Sequence, residues 1–268
     1  MQIKGAIHLH SKYSYDGQLS LLQIKELFIK EGLQFACMAE HTDDLTIEAI
    51  KELIKDCKQH SDEKFVFIPG FEIPYKGAHI LMIGAREFLL EESEEINGLS
   101  LQMWRENTSL VILAHPSRNN FVIDDDVKNI LDGIEVWNSY YDGKNAPRAR
   151  SLLLLQELQK EKPQIRAFAG WDMHRKEHIG GPAIFINIKL LSVDAILHKL
   201  ISGAYTLGKQ DIIISSCGII EKGDAIKIQY KQYKSVTKLF ALNILCYINK
   251  FFIFVGLPIP EKIKKKFR

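Results

Sequence analysis

Two histidines, one residue apart, close the first apolar run of the chain. His8 and His10 lie at the end of the apolar segment Ile3 to Leu9, and Asp16 comes shortly afterwards in the next loop. Alternate side chains of a strand point to the same face, so both imidazoles leave the predicted strand together. Two imidazoles joined by a carboxylate can hold a divalent metal. The motif alone also describes a surface or core pair of histidines, so the rest of the chain must decide.

The same arrangement recurs along the sequence, because several apolar runs begin or end in His, Glu or Asp. Six of the nine histidines lie at such strand ends. Packing gives no reason for this bias, since buried polar groups are costly without partners. Barrels of parallel strands carry their active sites at the carboxyl ends of the strands. The later residues at these ends are Glu40, His41, Glu72, His79, His115, Asp172 and His174.

The predicted elements alternate between strand and helix up to about residue 205, which favours an α/β fold of one large domain with parallel strands. Strands are predicted near 3–9, 34–40, 65–72, 109–115, 133–138, 165–171 and 183–188. The helices between them are predicted at 21–31, 46–60, 99–107, 124–131, 146–160 and 192–202. These seven strands suggest an irregular (β/α)-type barrel, with 72–84 as an added hairpin and 210–230 as two short strands around a turn.

Composition narrows the class of protein. The chain has 268 residues, 46% of them hydrophobic, which suits a globular domain with a real core. Net charge is +2 and no basic stripe stands out, so long nucleic acid is not expected as a partner. The four cysteines show no CxxC spacing and are interpreted as reduced thiols of a cytoplasmic protein. No cleaved signal peptide is predicted.

Taken in order, the motifs resemble the PHP (polymerase and histidinol phosphatase) superfamily, in its branch of stand-alone metal-dependent phosphoesterases. The resemblance covers about residues 1–210. It implies a distorted (β/α)7 TIM-like barrel with a metal cluster at the carboxyl ends of the strands. The matching pieces are His8-Leu-His10 with Asp16-Gly17, Glu40-His41-Thr-Asp43, Gly70-Phe-Glu72, His79-Ile-Leu, Ala114-His115-Pro116, Asp172-Met-His174 and the strand Gly133 to Asn138.

The resemblance also assigns the ligands of two or three divalent ions, with zinc, manganese or iron suited to such sites. One ion takes His8, His10, Glu72 and Asp172. Glu72 bridges to a second ion, held also by His79 and His115, and a third takes Asp16, His41 and His174. The implied reaction is hydrolysis of a small phosphoester by a metal-bridging hydroxide.

Two positions depart from the commoner family pattern. Glu40 stands where many members have Asp and is interpreted as orienting a ligand or a water, with a direct metal role left open. Trp171 precedes Asp172 where a small residue is common. It narrows the pocket, offers a stacking face, or simply packs.

Residues beside the ligand motifs complete the predicted site. Arg118 and Arg175 each follow a motif closely and are candidates to grip phosphate, alongside Glu72 and Asp172 in catalysis. Asn138 is expected to line the site. Lys12, Tyr13 and Tyr15 in the first loop are candidate substrate contacts, and solvated loop residues are the alternative. Outside the site we place His60, His178 and His198.

The C-terminal part is predicted as 211–230, completing the domain, and 231–268, an apolar and basic helical extension. Asn243, Asn249 and Lys250 interrupt the apolar run, so it is not a membrane span. A helix packed on the barrel or on a partner subunit is favoured over peripheral association with an anionic membrane.

Three function classes compete on these observations. A phosphoesterase comes first, a metal-dependent hydrolase of another ester or carbamate second, and a non-catalytic metal-binding module third. Decay of a catalytic site usually deletes ligands, and all nine predicted ligand positions still carry residues that can bind metal.

Overall fold

A computed structural model describes residues 1–43, 45–85 and 98–223 of the chain, without the side chains of 98–100. These residues belong to one unit, Met1–Asp224. The predicted C-terminal extension, 231–268, lies outside the described residues. No helix within the described part of the chain is long and apolar enough to cross a membrane.

The fold is mixed α/β and is built around one large sheet of 13 strands. The strands are β1 Gln2–Leu9, β2 Phe35–Met38, β3 Glu40–His41, β4 Val66–Ile68, β5 Gly70–Tyr75, β6 Ala78–Ile83, β7 Leu110–Leu113, β8 Gly133–Asn138, β9 Arg166–Met173, β10 Ala183–Asn187, β11 Tyr205–Lys209, β12 Ile212–Ser215 and β13 Ile220–Lys222. The helices are α1 Leu21–Lys30, α2 Ile47–His60, α3 Gly98–Glu106, α4 Asp125–Ile130, α5 Ala149–Glu161 and α6 Val193–Ser202, with a short 3₁₀ turn at Lys176–His178.

Four of the described helices, α1, α2, α4 and α6, begin where a side chain accepts a hydrogen bond from a free backbone N–H. Ser20 and Gln23 form a reciprocal capping box at the start of α1, and Thr46 accepts a hydrogen bond from Ala49 N at the start of α2. At the C-terminal end of α6, Gly203 ends the helix in a left-handed conformation with φ of 73°. Because these ends are fixed locally, the sequence predicts the helix positions well.

Parallel pairing brings the ligand-bearing strand ends to one edge. β1 pairs in parallel with both β2 and β9, β2 with β4, β3 with β5, β7 with β8, and β8 with β9. The carboxyl ends of these strands therefore lie on the same side of the sheet. Apolar side chains fill the interior, and Trp137, Phe35, Phe67 and Phe168 are among the largest that are fully buried.

The hairpin predicted at 72–84 is present, because β5 and β6 pair antiparallel from Gly70–Ile83 to Tyr75–Ala78. It is not an addition to the sheet, since β6 also pairs antiparallel with β7 and is an integral strand. The two-residue turn at Lys76 and Gly77, with φ of 46° and 81°, sends the chain straight back along β5. As a result β6 begins where its neighbours end, and His79 near its start lies at the same edge as the other predicted ligands.

The strand predicted at 183–188 is also not a parallel member of the sheet. β10 runs antiparallel to the first half of β1, and β11 and β12 continue the antiparallel pairing outward. A parallel return needs a crossover of a dozen or more residues, usually helical, whereas a short 3₁₀ turn joins β9 to β10. A turn at Gly218 separates β12 from β13, which begins at Ile220.

Candidate metal centre

His8 and His10 lie at the end of β1, and their ring centroids are 5.2 Å apart. Both side chains are fully buried. The pairing of β1 shifts register between Ile7 and Leu9 against both β2 and β9, and His8 has a φ of 68°. The strand is therefore bulged at His8, and this bulge, rather than simple alternation, turns its imidazole toward that of His10.

Glu72 on β5 divides its two carboxylate oxygens between different histidines. Oε1 lies 2.5 Å from Nδ1 of His79 and 2.8 Å from Nε2 of His115. Oε2 lies 3.3 Å from Nε2 of His8, 3.4 Å from Nε2 of His10 and 3.3 Å from Nδ1 of His41. With a side chain only 1% exposed, this carboxylate stands between two sets of imidazoles, as a bridging ligand would.

Asp172 and His174 come from the end of β9, the strand that pairs in parallel with β1. Oδ1 of Asp172 lies 3.6 Å from Nε2 of both His8 and His10, and 3.6 Å from Nδ1 of His174. Its Oδ2 faces Nε2 of His115 at 3.9 Å. Asp172 therefore borders the same space as Glu72, from the other side.

Asp16 returns from the first loop, as the sequence predicts, and meets His174 and His41. Its Oδ2 lies 3.1 Å from Nε2 of His174 and 3.6 Å from Nε2 of His41. The rings of His10 and His174 stack with centroids 4.1 Å apart. Asp16, His41 and His174 are thus brought together, with His10 beside them.

Three overlapping groups of donor atoms are close enough to hold an ion: His10, Asp16, His41 and His174; His8, Glu72 and His115; and His8, His10 and Asp172. Nε2 of His8, Nε2 of His10 and Oδ1 of Asp16 are buried and have no hydrogen-bond partner in the described structure. Buried polar atoms are normally satisfied, so these unpaired atoms indicate a ligand-binding site. Imidazole nitrogens and carboxylate oxygens are a donor set for zinc, manganese or iron, and the residues fit such ions.

His79 lies at the margin of this cluster. Its Nδ1 bonds Glu72, and its Nε2 contacts the guanidinium of Arg118. A guanidinium only donates, so Nε2 accepts and Nδ1 donates to the carboxylate. His79 therefore links Arg118 to Glu72, and both of its ring nitrogens are engaged.

Burial and ionic partners shift the pKa values of the central groups. Burial lowers the pKa of His10 to about 4, which leaves a free lone pair at neutral pH. Burial alone would raise the pKa of Glu72, but His8, His115 and His79 hold it well below the usual range, so this carboxylate is ionised. Burial disfavours the charged form of His8, yet Glu135, Asp172 and Glu72 raise its pKa well above the ordinary value. A metal ion bound at Nε2 of His8 would therefore displace a proton from the imidazolium.

Behind the cluster, Glu40 lies in a nest of hydroxyl and amide donors. Its carboxylate accepts hydrogen bonds from Ser11 N at 3.0 Å, Ser11 Oγ at 2.7 Å and Ser14 Oγ at 2.5 Å. Burial raises the pKa of Glu40 to about 7, against the opposing effect of these donors. Ser14 Oγ also lies 3.2 Å from Nδ1 of His10 and accepts from His41 N, so Glu40 is connected to both histidines through Ser14.

Sequence reasoning missed Glu135, a fully buried carboxylate on β8 that contacts Nδ1 of His8 at 2.8 Å. The signal for it was a single charged residue inside the apolar strand Gly133 to Asn138. Asn138, expected to line the site, is instead fully buried, and its side-chain amide donates to Glu135.

A cleft of about 310 Å³ opens above the cluster. Arg118 and Arg175 both line it, together with Tyr15, Tyr140 and Tyr141. His178, which the sequence analysis left outside the site, lines it as well. Its Nδ1 lies 3.2 Å from His174 N and its Nε2 lies 3.0 Å from Arg175 Nε, because the 3₁₀ turn folds back beside the end of β9.

Tyr13 of the first loop and Trp171 of β9 contact the structure around the cluster. Tyr13 donates to Asp56 and so points away from the cluster. Trp171 is 2% exposed, packs on Phe28 with ring centroids 5.0 Å apart, and donates its indole N–H to Pro182 O. Of the interpretations of Trp171, packing is the one that its contacts support.

The comparisons with known proteins support the fold. The chain superposes with a TM-score of 0.61 on a two-domain protein from Bacteroides vulgatus ATCC 8482 that contains a predicted PHP-like metal-dependent phosphoesterase, at 13% identity over 87% of this chain and 70% of that one. PsfC from Pseudomonas syringae PB-5123 gives a TM-score of 0.55 at 15% identity, over 78% of this chain and 92% of that one. The predicted resemblance to the PHP superfamily is thereby confirmed at the level of the fold.

In sequence, 80 residues are 34% identical to the DNA polymerase/3'-5' exonuclease PolX of Bacillus subtilis (strain 168). This stretch covers 27% of the chain and spans only 14% of the polymerase. No family model matches the chain.

Proposed function

We propose that this protein is a metal-dependent hydrolase of small phosphate esters, with two or three divalent transition-metal ions at the edge where β1, β3, β5, β7 and β9 end. The observation that carries the proposal is the convergence of unpaired buried nitrogens, His8 Nε2 and His10 Nε2, on the carboxylates of Glu72 and Asp172. Zinc, manganese and iron all suit this donor set.

The ligands are proposed to follow the groups of donor atoms. His8, His10, Glu72 and Asp172 would hold one ion, and Glu72 and His115 a second, with His79 at its margin. Asp16, His41 and His174 would hold a third, with His10 beside them. Bound ions would supply positive charge for the phosphate oxygens and a hydroxide nucleophile from water.

The chain's own residues would bind and orient the substrate. Arg118 and Arg175 line the cleft together with the predicted ligands, from the loops after β7 and β9. A guanidinium matches the geometry of phosphate oxygens through paired N–H donors. Hydrolysis cleaves the ester bond, adds water, and releases an alcohol and inorganic phosphate.

The two arginines separate this proposal from hydrolysis of a neutral ester or carbamate. Two cations in one cleft favour an anionic substrate, whereas a neutral ester gains little from them. The cleft volume suits a small molecule, which supports a small phosphoester rather than a polymer.

The finer architecture belongs to the same proposal. β1 pairs with β2, β2 with β4, and β3 with β5, so that β2 with β3 and β4 with β5 each count as one interrupted member. The pairing continues from β5 to β6, β7, β8 and β9, and β9 pairs with β1 again. This supports a distorted seven-membered barrel within residues 1–210. We also propose that 211–230 are strands that complete the domain, that 231–268 is a helical extension, and that the protein is cytoplasmic.

Substrates with one common leaving group test the function directly. Metal-free protein, prepared with a chelator, would be reloaded separately with Mn²⁺, Zn²⁺ or Fe²⁺. It would then be assayed with p-nitrophenyl phosphate, bis(p-nitrophenyl) phosphate and p-nitrophenyl acetate. We expect metal-dependent release of p-nitrophenolate from one of the phosphate esters. Release from the acetate alone would favour the ester hydrolase, and metal binding without turnover would favour a non-catalytic module.

A further inference from the structure

Glu135 is a buried charge in the middle of an apolar strand. It lies on β8 between Ile134 and Val136, and its exposed fraction is 0%. Burying an ionised carboxylate costs much free energy unless hydrogen bonds replace the lost water. Its surroundings must therefore supply donors, and the identity of those donors indicates its role.

Three donors meet the two oxygens of Glu135. Oε2 accepts from His115 N at 2.7 Å and from Asn138 Nδ2 at 2.8 Å. Oε1 lies 2.8 Å from Nδ1 of His8. One carboxylate therefore joins the end of β1 to the end of β7, where two predicted metal ligands lie.

The neighbouring strand leaves room for this carboxylate. A Cβ atom at Gly170 on β9 would lie 1.7 Å from Oε1 of Glu135 and 3.1 Å from Cβ of His8. The register between β8 and β9 also shifts between Glu135 and Trp137. Backbone on both strands is thus arranged around the contact between Glu135 and His8.

The contact fixes which nitrogen of His8 is free. An ionised carboxylate only accepts, so Nδ1 of His8 carries the proton and donates it to Oε1. In the neutral ring the lone pair then belongs to Nε2. That atom is buried without a hydrogen-bond partner and lies 3.3 Å from Glu72 Oε2 and 3.6 Å from Asp172 Oδ1.

We propose that Glu135 is a positioning residue that holds His8 in the tautomer with Nε2 open to the metal centre, while anchoring the backbone of His115 beside it. This role rests on the proposed metal-dependent function. Ligating histidines commonly donate their second ring N–H to such a carboxylate, which fixes the ring and raises its basicity.

A neutral isostere should reverse the tautomer. In Glu135→Gln the amide oxygen must take the Oε2 position, because the backbone N–H of His115 cannot turn away. The amide NH₂ then faces Nδ1 of His8, which must accept, so the ring proton moves to Nε2 and blocks the lone pair. Glu135→Asp keeps an acceptor on each side and should restore most of the binding.

Zn²⁺ titration of the metal-free full-length chain, in competition with a chromophoric chelator, measures the effect without turnover. We expect Glu135→Gln to lose about 10–100-fold in Zn²⁺ affinity at one site or more, and Glu135→Asp to lose much less. Asp132→Asn is the matched control. Asp132 also accepts a backbone N–H, from Val111 at 2.8 Å, but it lies at the opposite end of β7. Its replacement should leave Zn²⁺ affinity unchanged.

A second measurement needs no variant, in case Glu135→Gln fails to fold. Nitrogen NMR of ¹⁵N-histidine-labelled, Zn²⁺-loaded protein should find the His8 proton on Nδ1 and the metal on Nε2. Metal on Nδ1, or wild-type Zn²⁺ affinity in a folded Glu135→Gln variant, would overturn the role of Glu135 and leave the metal centre intact. A wild-type chain that binds no Zn²⁺ would overturn both.

Discussion

His8 and Asp172 face each other across a shared irregularity in the pairing of β1 with β9. Their side chains approach to 3.6 Å, and both residues have left-handed backbones, with φ of 68° and 53°. The register changes around them, since Ile7 pairs with Gly170 but Leu9 with Met173. His115 also has a positive φ of 23°. Such conformations cost on the order of 1–3 kcal/mol each in non-glycine residues and cluster at functional sites.

This strain can be measured at Asp172. Asn and Val both remove the negative charge, but Asn tolerates a left-handed backbone and a β-branched residue does not. We expect metal-free Asp172→Val to have a free energy of unfolding about 1–3 kcal/mol lower than that of metal-free Asp172→Asn, by denaturant titration. The same pair of substitutions at Asp194, in the first turn of α6, is the control and should differ much less. Equal stabilities at Asp172 would show that its backbone is not strained.

Four site histidines could be predicted because each lies where an apolar strand ends. His10, His41, His115 and His174 stand out in sequence for that reason, and the parallel pairing brings them together. The bulges at His8 and Asp172 could not be predicted, since the register of β1 against β9 depends on residues about 160 apart in sequence. Side-chain alternation accounts for the shared direction of His8 and His10 only with this bulge added.

The pairing of β6 with β7 and the role of Glu135 escaped prediction for the same kind of reason. The turn at Lys76 and Gly77 is a local signal for a hairpin, but the pairing of β6 with β7 is made across the intervening α3. Glu135 is visible in sequence as a charge in an apolar strand. Its role depends on its contact with His8, which lies 127 residues away in the chain.

Glu72 should matter more to turnover than to folding. Because its two oxygens face separate sets of histidines, Glu72→Ala removes a carboxylate oxygen from each of two proposed ion sites. We expect bound metal, by elemental analysis, to fall by more than one ion per chain. The loss in kcat should exceed the ~10–100-fold typical of losing an outer partner. Circular dichroism would check that the variant is folded. Near wild-type turnover at saturating metal would contradict the bridging role.

Arg118 and Arg175 should act on substrate binding. A charge-assisted hydrogen bond contributes about 1.5–3 kcal/mol, so each change to Ala should raise KM for the phosphoester by about 10-fold or more. Inhibition by inorganic phosphate should weaken in parallel. Arg150 is an exposed arginine that stacks on Phe121, and Arg150→Ala is the matched control. Unchanged KM and phosphate inhibition in both cleft variants would remove the arginines from the site.

The reaction should proceed by direct attack of water, without a phosphorylated side chain. Among the described residues that line the cleft there is no serine, threonine or cysteine, and the imidazoles of His41, His115 and His174 face carboxylates. Activity should therefore disappear with a chelator, return with Mn²⁺, Zn²⁺ or Fe²⁺, and rise with pH as water ionises at the centre. A substrate made chiral at phosphorus with oxygen isotopes distinguishes the two routes. Inversion of configuration in the released phosphate supports direct attack. Net retention, with a phosphohistidine trapped on the protein, would show that a side chain attacks first.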